Sequence, residues 1–235
     1  MNLFHQEIWK KLQSFAKQDK LGFDVAKYLG SPSEYLNLST GEYKKVIGEW
    51  AKDHKEISIK EFLDLLHSLN DGQTFQEKAT VGELLLDFPK FRKQLDPNEL
   101  DSWLENRKGW CEIDVLCQSC FDAEDILEQW EKWEKLLKEF RDSPNISKRR
   151  ASLVLLTKSV RKSADDRLKR LSFENIEALE REREILITKA VSWLLRSLTK
   201  HHAKDVALYL EQHKSTLPAI AYRETKKKLE TGRKN

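Results

Sequence analysis

The chain has 235 residues, with 42 Lys and Arg against 39 Asp and Glu, and its mean hydropathy is −0.67. That length is enough to bury a substantial core. No apolar run approaches the roughly 18 residues that a membrane span requires, and the N-terminus MNLFHQEIWKKL lacks the apolar core of an export signal. These features exclude a membrane-spanning protein, and we expect a cytoplasmic location.

The charge is distributed unevenly along the chain. Residues 145–235 carry 22 Lys and Arg against 11 Asp and Glu, whereas residues 1–144 carry 20 against 28. A basic half on a soluble chain favours a polyanionic partner such as nucleic acid. A well-solvated helical surface explains the same counts equally well, so the charge alone leaves both interpretations open.

Helical periodicity recurs along the whole chain, and no segment shows the period-two alternation of a strand. The first helix places Phe4, Ile8, Leu12 and Phe15 on one stripe, and Thr40 is a good N-cap residue for the third helix. In chain order, the sequence predicts helices at 3–17, 23–29, 40–53, 58–70, 74–88, 98–105, 110–121, 127–141, 146–162, 165–179, 182–200, 203–213 and 218–229.

These helices are joined by short polar connectors, and successive pairs recur at about 40 residues, the period of HEAT-type repeats. The sequence therefore predicts an all-α fold. We expect a HEAT-like α-α superhelical solenoid of about a dozen helices, in one domain over residues 1–235. The inner helices of such a solenoid would line a concave basic face that suits an elongated ligand. An irregular α-bundle is the alternative.

The segment GWCEIDVLCQ sets Trp110 and Asp114 four residues apart, on one face of a helix. An indole ring face attracts positive charge, and a carboxylate beside it neutralises that charge. The pair is therefore suited to holding a cationic group.

A second pattern lies in KAVSWLLRSLTK, where Lys189, Trp193, Arg196 and Lys200 recur at i, i+4, i+7 and i+11. This stripe is polar except for its indole, which is typical of a phosphate-binding surface. The N-terminal turn of the helix that begins near residue 146 carries three cations, Lys148, Arg149 and Arg150. The helix dipole disfavours positive charge at this end, and an anionic partner would offset that cost.

Each of these features has a simpler explanation when it is taken alone. A single tryptophan lies more often in a core than against a ligand, Asp114 is a common type of helix-start acid, and Arg149 and Arg150 would be ordinary surface cations. Cys117 and Cys120 form a CxxC on an apolar helix, where buried thiols are favoured over a metal or redox role. We expect no metal and no cofactor, because no glycine-rich phosphate loop or His/carboxylate cluster appears.

Four elements in order resemble the DNA alkylation repair (AlkD-like) glycosylases, a family of HEAT-like solenoids. They are GWCEID for the family's W-x-x-x-D, RRASLVLL for its Arg-containing helix start, KAVSWLLRSLTK for its K-A-x-x-W-x-L-R block, and LPAIAYRETKKKL with Arg223. The resemblance covers about residues 73–230, and VAKYLGS places Tyr28 where the family often has a tyrosine. Cys111 stands where the family is often acidic, and Gly109 where relatives can carry a second aromatic residue.

The resemblance implies hydrolysis of the N-glycosidic bond of cationic N3- or N7-alkylated purines in double-stranded DNA, by a protein that we expect to act as a monomer. Asp114 would stabilise the oxocarbenium-like sugar and position water. Trp110 and Trp193 would pack against deoxyribose and backbone. Relatives work from the backbone side without a deep base pocket. The phosphates and nearby backbone would be held by Arg149, Arg150, Lys189, Arg196, Lys200, Arg223 and Tyr28.

Two further hypotheses remain open. The same scaffold could be a non-catalytic binder of damaged or branched DNA, which would bind in a salt-dependent way without releasing a base. It could also be a HEAT-type protein scaffold, in which case reversing the charges of Arg150, Arg196 and Lys200 would leave DNA affinity unchanged.

Overall fold

The computed structural model describes residues 1–17 and 24–233, and these residues form fourteen helices with a single isolated bridge between Glu34 and Thr74. The predicted all-α fold class is confirmed. The helices, numbered α1 to α14 in chain order, are Leu3–Phe15, Val25–Leu29, Thr40–Asp53, Ile59–Asn70, Phe75–Asp87, Pro89–Gln94, Glu99–Glu105, Gly109–Cys120, Ala123–Glu128, Trp130–Arg141, Ile146–Lys162, Asp166–Leu179, Ile185–Gln212 and Ala219–Thr231.

The contacts group these helices into two compact units, Met1–Cys120 and Phe121–Asn235. In the first unit α5 packs against α3, α4 and α8, and in the second α11 packs against α10, α12 and α13. Contacts between a helix and the next but one along the chain, such as α3 with α5 and α11 with α13, are those of stacked helical repeats.

Capping boxes fix the starts of three helices in the first unit. In each box a hydroxyl accepts a hydrogen bond from the backbone of a glutamate three residues on, and that glutamate accepts one from the backbone of the cap. The pairs are Ser39 with Glu42, Ser58 with Glu61, and Thr74 with Glu77. The predicted cap at Thr40 is therefore wrong by one residue, because the Ser39 side chain already accepts from Glu42.

The core of the first unit contains the apolar faces that periodicity predicts, with Ile8 and Leu12 fully buried. Phe15 is an exception: it is 39% exposed at the last turn of α1. A polar residue completes this core instead. His5 is buried, and its Nε2 lies 2.9 Å from Glu77 Oε1, so that an ion pair or hydrogen bond joins α1 to α5. The predicted start of α2 at Phe23 lies outside the described residues.

The second unit is built around α11, whose side chains from Ala151 to Leu156 are all buried. Two predicted boundaries change here. The predicted helix 127–141 is interrupted at Gln129, whose φ of −118° and ψ of 42° lie outside the helical region. The predicted helices 182–200 and 203–213 form one element, α13, which is kinked where His202 leaves helical geometry.

Within the described part of the chain, no helix combines the length and the apolar character needed to cross a bilayer. The prediction of buried thiols is confirmed for Cys117 and Cys120, which are fully buried and unlinked. Cys120 donates a hydrogen bond to the Gly82 carbonyl, so it packs α8 against α5.

Candidate functional site

The first group of candidate residues lies at the start of α8. Trp110 is half-buried, and its indole Nε1 donates a hydrogen bond of 3.0 Å to the carbonyl oxygen of Tyr28, at the end of α2. The two rings meet edge to face, with centroids 6.2 Å apart and an interplanar angle of 82°. Because Tyr28 is 64% exposed, the structure brings two of the predicted site residues together at the surface of the first unit.

This contact depends on two glycines. Gly30 ends α2 with a φ of 65°, and Gly109 begins α8 with a φ of 70°, a region that residues with a Cβ rarely adopt. A Cβ on Gly109 would overlap the carbonyl oxygen of Gly30. The backbones of α2 and α8 therefore touch directly, and this close approach explains why position 109 carries no aromatic side chain here.

A buried carboxylate anchors the same turn of α8. Glu112 is fully buried and accepts hydrogen bonds from the hydroxyls of Ser31 and Ser33 and, at 2.9 Å, from the backbone N–H of Lys108. The two serines donate to Oε1, whereas Lys78 Nζ lies 3.3 Å from Oε2, the oxygen that accepts from Lys108. Burial works to raise the pKa of Glu112, but these hydrogen bonds and the charge of Lys78 together hold it below its ordinary value. Glu112 is therefore an ionised anchor that fastens the 31–33 segment to α8.

Arg107 completes this anchor. Its guanidinium is 1% exposed and donates to Asn70 Oδ1 at 3.1 Å, to the Glu112 carbonyl at 2.6 Å and to the Lys78 carbonyl at 2.9 Å. Burial lowers its pKa to about 10, so the side chain stays charged at neutral pH. Three backbone or amide oxygens on α4, α5 and α8 are thus tied to one rigid cation.

Asp114 lies one helical turn beyond Trp110 and is half-buried. Its negative charge affects Cys111 on the same helix. Burial and the negative charges of Asp114 and Glu112 together raise the pKa of the Cys111 thiol to about 12. Cys111 is therefore a neutral thiol and a poor nucleophile at neutral pH. The first two turns of α8 thus present the Trp110 indole, the neutral Cys111 thiol and the Asp114 carboxylate.

The second group of candidates lies on α13, in the second unit. Lys189 and Lys200 are exposed and Trp193 and Arg196 are half-buried, whereas Leu194, Leu195 and Leu198 are fully buried. The predicted separation of a polar stripe from an apolar face is therefore confirmed, and the Trp193 indole shares the solvent side of α13 with cations.

Arg196 is engaged within the protein. Its guanidinium lies 3.2 Å from Glu224 on α14, and its Nε donates to the Ser192 carbonyl. Burial lowers the pKa of Arg196, while the Glu224 charge works in the opposite direction. Arg223, the residue before Glu224, is exposed. The pair of α13 and α14 thus presents Arg223 to solvent and uses Arg196 to hold the two helices together.

The two arginines at the start of α11 are less exposed than the sequence predicts. Arg150 is 4% exposed and donates to the Leu186 carbonyl at 2.5 Å, so it ties α11 to α13 instead of standing on the surface. Arg149 donates to the carbonyls of Ser143 and Pro144 and lies 2.9 Å from Glu182. The expected surface position is wrong for Arg150, whose guanidinium is buried against the Leu186 carbonyl, whereas Arg149 is half-buried. Their contact with phosphate remains a prediction.

Sequence reasoning missed the anchor formed by Arg107 and Glu112. An acid in the first turn of a helix is usually a solvated partner of the dipole, and no local pattern distinguishes Glu112 from such a residue. The serine pair Ser31 and Ser33 lies far away along the chain, so only folding connects them to Glu112. Among the described residues, no group of three His, Cys, Asp or Glu side chains could hold a metal ion.

Comparison with known proteins identifies the family and the fold of this chain. A family model described as DNA alkylation repair enzyme matches residues 8–229. The fold is similar to that of a predicted DNA alkylation repair enzyme from Enterococcus faecalis, with a TM-score of 0.73 and 15% sequence identity over 88% of this chain and 93% of that one. No protein of curated function matches significantly. With nearly its whole length matched by the family model, the chain belongs to the DNA alkylation repair enzyme family.

Proposed function

We propose that the protein is a monofunctional DNA glycosylase that removes cationic N3- or N7-alkylated purines from duplex DNA. The observation that carries this proposal is the placement of Asp114, a half-buried carboxylate one turn from the Trp110 indole. The turn between them is held by the Arg107 and Glu112 network. Fixed negative charge beside an aromatic face stabilises a cation that develops during a reaction.

The chemistry needs only water as a co-reactant. Alkylation makes the purine cationic, so the bond from C1′ to the base breaks with its electron pair moving to the base, which leaves neutral. The positive charge passes to the sugar as an oxocarbenium-like cation. Asp114 stabilises that cation and orients a water molecule, whose oxygen bonds to C1′ and whose proton passes to solvent.

The duplex would be held mainly through its phosphates. Lys189, Lys200 and Arg223 are exposed cations on α13 and α14, and Trp193 and Tyr28 offer ring surfaces to sugar and backbone. Such contacts give affinity with little sequence readout. Arg150 binds the first turn of α13, Arg196 joins α13 to α14, and Arg149 binds the connectors before α11 and α13. We propose that these three arginines act by positioning the helices that carry the exposed cations.

The proposal is tested by measuring release of 7-methylguanine and 3-methyladenine from methylated duplex DNA under single-turnover conditions. We expect Asp114→Asn to lower the rate constant about 100-fold or more, because it removes a fixed charge from the transition state while keeping the side chain's size. Asp101→Asn is the matched control, since it makes the same change at an exposed acid on α7 of the same unit. Its rate should equal that of the unchanged protein.

Absence of base release by the unchanged protein would overturn the glycosylase proposal. If such a protein still bound alkylated duplex in a salt-dependent way, it would be a non-catalytic DNA binder on this scaffold. Equal release by the unchanged protein and Asp114→Asn would retain the activity but remove Asp114 from its proposed role.

A further inference from the structure

Helix α14 carries the exposed Arg223, yet it buries few of its own side chains. Of its 13 residues only Ala221 and Thr225 are buried, and both side chains are small. The buried Thr225 hydroxyl finds no hydrogen-bond partner among the described residues. Because hydrophobic contact is non-directional, two small side chains leave the rotation of α14 about its own axis weakly determined.

Glu224 supplies the directional contacts that this packing lacks. Its Oε2 accepts a hydrogen bond of 2.7 Å from the Ser192 hydroxyl and lies 3.2 Å from the Arg196 guanidinium. Arg196 Nε in turn donates to the Ser192 carbonyl at 3.1 Å and to the Ser192 hydroxyl oxygen at 3.3 Å. Ser192, Arg196 and Glu224 thus form a closed set of contacts between α13 and α14, which we call the α13–α14 clamp.

The clamp is partly shielded from water. The side chains of Arg196 and Glu224 are 12% and 25% exposed, and Ser192 is fully buried. Hydrogen bonds to charged groups are stronger than those between neutral groups, and salt screens partly buried pairs less than pairs in open solvent. The clamp should therefore persist at the salt concentrations at which the protein would meet DNA.

Two of the proposed DNA contacts are chain neighbours of the clamp. Arg223 precedes Glu224 on α14 and is exposed, and Trp193 follows Ser192 on α13 and is half-buried. A carboxylate next to a phosphate-binding arginine repels phosphate by its charge. A fixed orientation of α14 can outweigh that repulsion, because the Arg223 side chain then binds from an ordered helix and loses less freedom on binding.

We propose that Glu224 is a positioning residue for DNA binding: it fixes the rotation of α14 on α13 and so holds Arg223 where a backbone phosphate binds. This inference rests on the phosphate contact that the proposed function assigns to Arg223. It reverses the sign expected from charge. Removing an acid makes the surface more basic and by itself strengthens DNA binding, whereas loss of the positioning weakens it.

The test measures affinity for an unmodified fluorescent duplex at several salt concentrations, since phosphate contacts need no lesion. Glu224→Ala removes the clamp, and we expect binding about fivefold to tenfold weaker, with a salt slope smaller by up to about 0.9. Glu224→Gln keeps an oxygen that can accept from Ser192, so its affinity should lie between those of Glu224→Ala and the unchanged protein. Glu211→Ala is the matched control, at an exposed acid near the end of α13, and should bind at least as tightly as the unchanged protein.

A double-variant cycle shows whether Glu224 acts through Arg223. If it does, Glu224→Ala has no further effect on affinity in an Arg223→Gln background. Weakening of the same size in both backgrounds would overturn the proposal, because Glu224 would then act independently of Arg223. An affinity of folded Glu224→Ala equal to or higher than that of the unchanged protein would overturn it as well.

Circular dichroism melts show whether each variant is folded. Ser192→Ala breaks the clamp without changing any charge, and it decides the question if Glu224→Ala does not fold. We expect this variant to bind about threefold more weakly than the unchanged protein, and an equal affinity would overturn the proposal.

Failure of the glycosylase proposal is recognised separately. If the unchanged protein releases no base but Glu224→Ala weakens duplex binding as expected, the positioning role stands without the glycosylase activity. If base is released but Glu224→Ala binds duplex as tightly as the unchanged protein, only the positioning role is overturned.

Discussion

At the scale of the residue, the most informative side chain is one that the sequence motif does not single out. Glu112 stands between Trp110 and Asp114, is fully buried, and joins Ser31, Ser33 and Lys78. Taking a carboxylate out of water costs several kcal/mol unless hydrogen bonds and an opposite charge offset that cost. Here both are present, so Glu112 fixes the rotation and depth of α8. It thereby fixes the positions of Trp110 and Asp114, the two residues proposed to act on the substrate.

We expect Glu112→Gln to destabilise the protein by about 2–4 kcal/mol, because it leaves Lys78 without its counter-charge and keeps only part of the hydrogen bonding. The measurement is the midpoint of urea unfolding. Glu49→Gln is the matched control: Glu49 is exposed and lies 3.9 Å from Lys45, a surface pair whose loss should change stability by less than about 0.5 kcal/mol. Equal midpoints for the two variants would contradict the anchoring role.

The unchanged protein and Glu112→Gln should also differ in their pH dependence. The pKa of Glu112 is lower in the folded protein than its ordinary value of 4.5. Its contribution to the free energy of unfolding is therefore complete above pH 4.5 and is lost as pH falls through the lower, folded pKa. The stability difference between the two proteins should shrink as pH falls below 4.5. A difference that stayed constant from about pH 7 to about pH 3 would show that the charge of Glu112 is not what stabilises α8.

At the scale of the element, α2 and α8 touch through their backbones, at a point where there is no room for a side chain. Gly109 has a positive φ, and its Cα faces the Gly30 carbonyl. This contact lets the Trp110 indole reach the Tyr28 carbonyl and brings the two rings together edge to face. A short helix of five residues is thus held in place by a longer one, which also carries Asp114.

We expect Gly109→Ala to destabilise the protein by about 2 kcal/mol or more, since the alanine must adopt a left-handed backbone and its Cβ meets the Gly30 carbonyl. Gly48→Ala is an informative control, because Gly48 lies within α3 and a methyl group added there would meet no atom within 4 Å. That change should stabilise the helix by about 0.5–1 kcal/mol. Thermal melts of the two variants should therefore shift in opposite directions, and a shift in the same direction would contradict the close approach.

At the scale of the whole molecule, the basic excess of residues 145–235 predicts where DNA affinity resides. Lys189, Lys200 and Arg223 are exposed on α13 and α14, whereas Arg150 and Arg196 donate to groups within the protein. We therefore expect the phosphate contacts at the three exposed cations. Each phosphate contact that is lost should reduce the slope of log affinity against log salt by about 0.9.

We expect changing Lys189, Lys200 and Arg223 together to Gln to weaken duplex binding and to flatten its salt dependence by up to about 2.7 in slope, as three lost contacts would give. Changing Lys10, Lys11 and Lys60 to Gln alters the net charge equally on exposed residues of the first unit. Titrations of a fluorescent duplex between low and moderate salt measure both sets. Equal slopes for the two triple variants would contradict the assignment of the phosphate contacts to Lys189, Lys200 and Arg223.

The sequence by itself determined the helical class, nearly all helix positions and the polar stripe of α13. These properties follow from periodicity, capping residues and apolar spacing, which act over a few positions along the chain. Family membership could also be read from the sequence, because the W-x-x-x-D element and the tryptophan block keep their residue types in order, and the family model confirms it.

Only the tertiary structure decided what surrounds those motifs. Four features join residues far apart in the chain: the contact of Arg150 with Leu186, the ion pair of Arg196 with Glu224, the anchor at Glu112, and the hydrogen bond of Trp110 to Tyr28. Whether an arginine meets solvent or a carbonyl depends on which helix end packs against it, and local sequence does not encode that partner. The sequence therefore specified the candidate residues, and packing decided which of them are exposed to solvent and which hold the protein together.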